Sequence, residues 1–252
     1  MRILHLDIET APNIAYVWSL FSDYVSIDRL VEPGYTLCWS AKWQGEKDIM
    51  FSSVHHDGMQ AMIGRIHSLL DEADAVVHYN GQKFDIPTLN REFINNDFTP
   101  PMPYHQIDLY RVVRKRFRYA SNKLDFVAQQ LGLGGKTKHK GMELWSECMA
   151  GNEEAWATME EYNKRDVEIL EDLYNKLLPW IQNHPNHALY MDTTRPTCTN
   201  CGSDKVIKKG VETTKTGQYQ RYRCTSCGTP LRGRYTMVTK EKREHVLSQS
   251  RL

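Results

Sequence analysis

Arg2-Ile-Leu-His-Leu-Asp-Ile-Glu9, followed by Thr10-Ala11-Pro12, is the stretch whose reading decides the fold. Its Ile and Leu residues suit a buried strand, and Pro12 stops it. Side chains alternate along a strand, so Asp7 and Glu9 share one face while Leu4, Leu6 and Ile8 take the other. Two carboxylates held side by side repel unless a cation lies between them; the alternative is an exposed edge strand whose acids are solvated. His5, on the face of Asp7, reads as a packing or hydrogen-bonding residue.

Outward from this strand, residues 36–43 and 47–54 read as a hairpin around Gln44-Gly45-Glu46. Helical periodicity follows over 59–70, a short strand over 75–79, a helix over 85–95 and a strand over 104–107. Helices are expected over 109–117 and 123–131, and a long one over 153–183. Strands first, then strands mixed with consecutive helices, predict an α/β fold: a mixed sheet flanked by helices. Asn183-His-Pro-Asn-His187 and Thr193-Thr-Arg-Pro196 punctuate the chain, giving a main domain at 1–186, a linker at 187–195, a small module at 196–236 and a charged tail at 237–252.

The 252 residues are 40% apolar and 10% aromatic, which disfavours disorder, and no apolar run approaches the roughly 18 residues that cross a bilayer. With a strand rather than a signal peptide at its start, a soluble, cytoplasmic protein with no membrane partner is expected. The charge balance of 32 Lys+Arg against 31 Asp+Glu conceals a split. Residues 1–189 hold 19 and 26, or −7, and residues 190–252 hold 13 and 5, or +8, which together make the +1 of the chain. An acidic body carries a basic, nucleic-acid-seeking segment.

Two further acidic positions join Asp7 and Glu9. Asp85 closes Tyr79-Asn80-Gly81-Gln82-Lys83-Phe84-Asp85 at a strand-to-helix junction, where an ordinary helix cap is the competing reading. Tyr162 and Asp166 stand one helical turn apart, and Ile169 and Leu173 continue their face as apolar residues. Burial draws Asp166 toward a core or cleft, where it needs a cation, a metal or a hydrogen-bond donor. Four converging carboxylates suit Mg²⁺ or Mn²⁺ rather than zinc.

Asp7-x-Glu9-Thr10, Asn80-Gly81-x-x-Phe84-Asp85 and Tyr162-x-x-x-Asp166 together resemble the three motifs of the DEDD superfamily of 3′→5′ exonucleases. The tyrosine form matches the DEDDy subgroup, and the second motif is similar to that of the proofreading domain of family-B DNA polymerases. The DEDDh subgroup places a His where this chain has Glu161. The resemblance covers roughly residues 1–180 and implies an RNase H-like fold and a two-metal-ion phosphodiester hydrolase. By that resemblance Asp7, Glu9 and Asp166 hold one Mg²⁺ or Mn²⁺, Asp7 faces a second, and Asp85 positions the second partly through water. Two such ions about 4 Å apart activate a water and stabilise the leaving 3′ oxygen. Tyr162 orients that water through its hydroxyl rather than acting as the base. The implied substrate is DNA with a free 3′ end, single-stranded or frayed. RNA is the alternative within the class, and a nucleic-acid-binding recruitment protein with an inactive core is the alternative outside it.

Arg111-Val-Val-Arg114-Lys115-Arg116-Phe117-Arg118-Tyr119 packs five cations and two aromatics into nine residues. It reads either as a phosphate-contacting edge of the cleft or as a solvated helix end whose cations suit the dipole. Lys136 and Lys138 follow a Gly-rich loop of the same sign and, with Asn80, complete the nucleic-acid-binding candidates of the body.

Cys198-x2-Cys201 and Cys224-x2-Cys227, each knuckle followed by a Gly, suit one tetrahedral Zn²⁺ with all four positions filled. Such a closed ion is structural and holds a module too small to have its own core. Two disulfides would be the alternative, which a chain without a secretion signal disfavours. The module resembles the zinc ribbons of insertion-element transposases. Lys208, Lys209, Arg221 and Arg223, interleaved with tyrosines, form a candidate backbone-binding surface, with contact to a replication or repair protein as the competing use. Cys38 and Cys148 read as small buried hydrophobes, and the doublet His55-His56 lacks a metal-spaced partner and is assigned no chemistry.

Overall fold

In the computed structural model, which describes residues 1–21, 24–135, 140–248 and 250, the body of the chain begins with the strand that carries the acid pair. The order is β1 (Ile3–Thr10), β2 (Ile14–Ala15), β3 (Leu30–Glu32), β4 (Thr36–Trp43), β5 (Met50–Ser53), α1 (Val54–Asp57) and α2 (Met59–Glu72). There follow β6 (Ala75–His78), α3 (Asp85–Asn95), β7 (His105–Asp108), α4 (Leu109–Arg116), α5 (Leu124–Gln130), α6 (Met142–Met149) and α7 (Glu153–Leu177). Two units are distinguished, Arg2–Asn175 and Lys176–Leu252, with Met1 grouped with the second.

The first unit is a mixed α/β fold on a five-stranded sheet of order β5-β4-β1-β6-β7. β1 lies at its centre, antiparallel to β4 and parallel to β6, so the exposed-edge reading of Asp7 and Glu9 does not hold. β4 returns directly through a turn at Gly45, whose φ of 82° suits glycine, and runs on antiparallel to β5. β6 and β7 are parallel to β1 because each is reached through a helical crossover, α2 and α3. β5 begins three residues later than expected, at Met50, and ends at Ser53 because that residue caps α1, its Oγ accepting from the His56 N–H at 3.1 Å.

One face of the sheet is apolar. Leu4, Leu6 and Ile8 join Trp39, Ala41 and Trp43 against Met62, Ile63, Ile66 and Leu70 of α2 and Ile86, Leu89 and Phe93 of α3. Each fully buried large side chain there is worth about 1.5–3 kcal/mol. The Trp39 indole keeps its polar atom satisfied by donating to the Met62 carbonyl at 2.9 Å. Cys38 belongs to a second cluster with Leu144 and Cys148 of α6 and Trp156, Met159 and Tyr162 of α7. Burial pushes the Cys148 thiol up to about 11 and that of Cys38 well above its usual range, so both are packing groups.

α7 is held against β1 and β4 by a polar lock below the acids. His5 hydrogen-bonds Gln44 Oε1 at 2.6 Å and meets the Tyr174 ring edge-on at 5.3 Å. Lys42 pairs with Glu171, which also accepts from the Gly45 N–H at 3.0 Å. Gln44 Nε2 donates to Asn175 Oδ1 at 3.1 Å. With residues 171–175 level with His5 and running antiparallel to β1, the preceding turns of α7 arrive level with Asp7 and Glu9.

Other elements of the body differ from the sequence reading as well. α7 stops at Leu177 rather than near residue 183, because Pro179 lacks an N–H and turns the chain into a 3-10 helix over Leu178–Trp180. α1, α6 and the β2–β3 pair were not anticipated.

The second unit carries β8 (Val206–Thr213), β9 (Gln218–Cys224) and β10 (Pro230–Thr236) as an antiparallel sheet of order β10-β9-β8, followed by α8 (Lys240–Glu244). The sequence reading did not anticipate β10. Among the described residues no helix is long and apolar enough to cross a membrane.

Candidate active site

β1 and α7 bring three acids together. Carboxylate oxygens of Asp7, Glu9 and Asp166 lie within 4.8 Å of one another, Asp7 and Glu9 half-buried and Asp166 only 2% exposed. The period-two pleat supplies the first pair and the polar lock fixes α7 so that Asp166 completes the set. Just past Glu9 the β1–β4 register shifts, a bulge at the end of the site. Three anionic groups so close are a hard-oxygen donor set that suits a divalent cation. Tyr162 is 6% exposed, with its ring edge-on to Trp145 at 6.1 Å.

Asp85 stands outside that mutual contact set but touches the same strand. It is not the cap of α3: Phe84 holds that place, and Asp85 is the first helical residue, 4% exposed. β6 pairs with β1 only from Ile3 to His5, which leaves the Ile8 N–H to be taken by the Asp85 carboxyl. Burial pushes Asp85 up to about 7 despite its backbone hydrogen bonds, and the nearby Asp108 adds to the effect. A cation beside Asp85 would reverse that cost.

The turn that delivers Asp85 is strained and tightly held. Asn80 has a φ of 67°, and its N–H donates to Asp108 Oδ1 at 2.9 Å. The Gly81 N–H donates to His78 Nδ1 at 3.1 Å, and a Cβ on Gly81 would sit 2.5 Å from the His78 ring. Burial lowers the pKa of His78, consistent with a neutral ring whose Nδ1 accepts from Gly81.

Beside Asn80 lie two open clefts that share Asn80 and Tyr110. One of about 570 Å³ is lined by Gln82, Lys83, Arg111, Arg114 and Lys115; the other, of about 600 Å³, by Tyr79, Asn122 and Lys123. Arg111 hydrogen-bonds Gln82 across the first. Arg116 and Arg118 are exposed and line neither cleft, while Arg114, Lys115 and Arg116 occupy the last turn of α4, where cations also suit the helix dipole. Lys136 and Lys138 fall outside the described residues.

In the second unit the sulfurs of Cys198, Cys201, Cys224 and Cys227 all lie within 4.8 Å of one another. Cys198 is 3.6 Å from Cys227 and Cys201 is 3.6 Å from Cys224. A tetrahedron with Zn–S bonds of about 2.3 Å has edges of about 3.8 Å, whereas a disulfide needs about 2.05 Å, so the site fits zinc and not disulfides. Gly202 and Gly228, at φ of 73° and 83°, let each knuckle fold back, and their N–H groups donate to the Cys198 and Cys224 carbonyls. Burial opposes ionisation of Cys224, but the N–H groups of Cys227 and Ser226 bring it down to about 7. Among the basic candidates, Arg221 and Arg223 share a face of β9, and Arg221 pairs with Arg232 of β10. Lys208 pairs with Tyr222 and so takes the other face, and Lys209 is exposed next to the bulge of β8.

Two relationships were not foreseen. Asn163, fully buried, donates from Nδ2 to Asp7 Oδ2 at 2.7 Å. Its place one helical turn before Asp166 was the available clue. The doublet His55-His56 does have a partner, Glu153, with His55 Nε2 2.9 Å and His56 Nε2 3.9 Å from its two carboxylate oxygens.

Comparison with curated proteins returned no match. Among solved structures, the family B DNA polymerase from the hyperthermophilic archaeon Pyrobaculum calidifontis is similar in fold, with a TM-score of 0.55 at 19% sequence identity. The likeness covers 71% of this chain and 24% of the polymerase, so this chain corresponds to about a quarter of its length. Residues 35–178, from the start of β4 through α7, match the family model of the RNase_H superfamily. That match takes in more than half of the sequence, together with Asp85, Tyr162 and Asp166, and the chain belongs to the RNase_H superfamily.

Proposed function

We propose that the chain is a metal-dependent 3′→5′ exonuclease of the DEDDy type that hydrolyses DNA from a free 3′ end. The observation that carries this reading is the approach of Asp7, Glu9 and Asp166 to within 4.8 Å, with Asp85 on the backbone of the residue between the first two. Membership of the RNase_H superfamily supports it. Asp7, Glu9 and Asp166 would hold one Mg²⁺ or Mn²⁺, with Asp7 and Asp85 serving a second. Bound there, such ions supply water activation and charge neutralisation at phosphorus.

The chain's own groups do the positioning. Asn163 fixes the Asp7 carboxylate by donating to its Oδ2. Tyr162 orients the attacking water by its hydroxyl, as a hydrogen-bonding group and not as the base. Asn80 and the cleft of Arg111, Arg114 and Lys115 take the phosphates of the strand. In this reading residues 1–186 are the nuclease domain and residues 196–236 a ribbon closed by one structural Zn²⁺. The ribbon, through Lys208, Lys209, Arg221 and Arg223, tethers the enzyme to nucleic acid or to a replication or repair assembly, in the cytoplasm of the cell or of a viral host.

The test is digestion of single strands labelled at the 3′ or the 5′ end, with matched DNA and RNA, in Mg²⁺. Release of labelled mononucleotides from the 3′ end alone, faster on DNA, supports the proposal. Internal cleavage contradicts it, a preference for RNA replaces the substrate, and tight binding without turnover favours the inactive-core reading. Removing residues 187–252 should weaken binding and flatten its salt dependence while leaving saturated turnover largely intact.

A further inference from the structure

We propose that His55, His56 and Glu153 form a second metal site in the nuclease unit, for a zinc-type divalent transition ion, independent of the acidic site. The two imidazoles leave one turn of helix, α1, and Glu153 opens α7. One donor atom from each of the three lies within 4.8 Å of the others. Around an ion with Zn–N and Zn–O distances near 2.0–2.2 Å, tetrahedral donors stand about 3.3–3.5 Å apart. The observed contacts to Glu153, 2.9 Å from His55 and 3.9 Å from His56, bracket that spacing.

The rings are already oriented. His56 Nδ1 is hydrogen-bonded to Ser53 Oγ at 2.8 Å, the outer partner that a ligating histidine needs when Nε2 faces the ion. The His55 ring stacks on Trp156 at 5.3 Å and 8°, and Trp156 is 1% exposed, so the platform beneath it is fixed. The Glu153 carboxylate accepts one hydrogen bond from His55 Nε2. At 3.9 Å the His56 Nε2 is beyond hydrogen-bond reach of that carboxylate, yet both imidazole nitrogens converge on it. The neighbouring carboxylate of Asp57 is occupied by Ser52 and Arg65, which leaves Glu153 as the acid of the set.

Two imidazoles and one carboxylate favour Zn²⁺, Co²⁺ or Ni²⁺ over Mg²⁺, and a water completes the fourth position. An ion there ties the end of β5, through α1, to the first turn of the helix that presents Tyr162, Asn163 and Asp166. Its effect is therefore on the stability of α7 and not on chemistry at phosphorus.

The full-length chain, its cysteines loaded with zinc and Mg²⁺ in excess to occupy the acids, is titrated with Zn²⁺ or Ni²⁺ and compared with the His55→Gln/His56→Gln and Glu153→Gln variants. Wild type should take up one more equivalent than the double variant, with a higher melting temperature in Zn²⁺ that the double variant does not show. Glu153→Gln should bind that equivalent at least about tenfold more weakly. Equal uptake by wild type and the double variant overturns the proposal whatever the outcome of the nuclease assay. Should the double variant fold poorly, paramagnetic Co²⁺ with wild type decides: selective broadening of the Trp156 indole resonance supports the site, and an unaffected Trp156 overturns it.

Discussion

Asn163 Nδ2 donates to Asp7 Oδ2 at 2.7 Å across the gap between α7 and β1, from a side chain with no solvent exposure. It ties the first acid of the strand to the helix that brings the last one. Asn163→Leu keeps the volume and removes the donor. Turnover should fall about 10–100-fold, the range seen when a carboxylate ligand loses its outer hydrogen bond, with KM for DNA little changed. Steady-state kinetics measures both; a variant with normal kcat would mean that Asp7 is positioned by other contacts.

The polar lock predicts a pH dependence of stability. Burial lowers the pKa of His5 from 6.5 to about 4, so its folded form is neutral where an unfolded chain would take a proton. A depressed histidine contributes fully above pH 6.5, and the contribution is lost as pH falls from 6.5 to about 4. Through this residue the protein is less stable at acid than at neutral pH by about 3 kcal/mol. Denaturant titrations of wild type and His5→Gln between pH 4 and 8 should differ in slope over that window. Parallel curves would refute the assignment.

For the second unit, the sulfur spacing predicts that zinc supplies the folding energy. Structural zinc binding is worth about 10–16 kcal/mol in small modules, more than a ribbon of this size gains from its own core. Chelation, or Cys201→Ser, should collapse the amide dispersion of β8–β10 in NMR spectra while signals from Arg2–Asn175 persist. Retained dispersion in zinc-free protein would exclude a structural ion.

The cleft beside Asn80 separates two explanations of the basic stretch. If Arg114 and Lys115 contact phosphates, replacing both with Ala should weaken single-strand binding. The slope of log K against log salt should then become shallower by about 1.4, or about 0.7 per contact. If they serve only the helix dipole, binding and its slope stay as in wild type and α4 loses a few tenths of a kcal/mol each. Fluorescence anisotropy at several salt concentrations distinguishes the two.

Much of the site was legible because it rests on local periodicity: the alternation in β1 pairs Asp7 with Glu9, and the helical turn pairs Tyr162 with Asp166. Asp85 was ambiguous, since an exposed cap and a buried acid look alike until the ending of β6 shows that the Ile8 N–H needs a partner. Pro230 and Gly233 hide β10 in the sequence, since both are turn formers; as an edge strand it tolerates both. α6 buries only Leu144 and Cys148 fully and has no side-chain cap at Gly141, so little marks its start in the sequence. The meeting of His55 and His56 with Glu153 depends on tertiary packing between α1 and α7 and leaves no trace in local spacing.

The most direct measurement of the central claim is release of nucleotides from 3′-labelled single-stranded DNA in Mg²⁺ by wild type, Asp7→Asn and Asp166→Asn, each shown to be folded by circular dichroism. The account predicts processing by wild type and a loss of about a thousandfold or more in either variant, since the acids act as one unit. Undiminished release by both variants would contradict it.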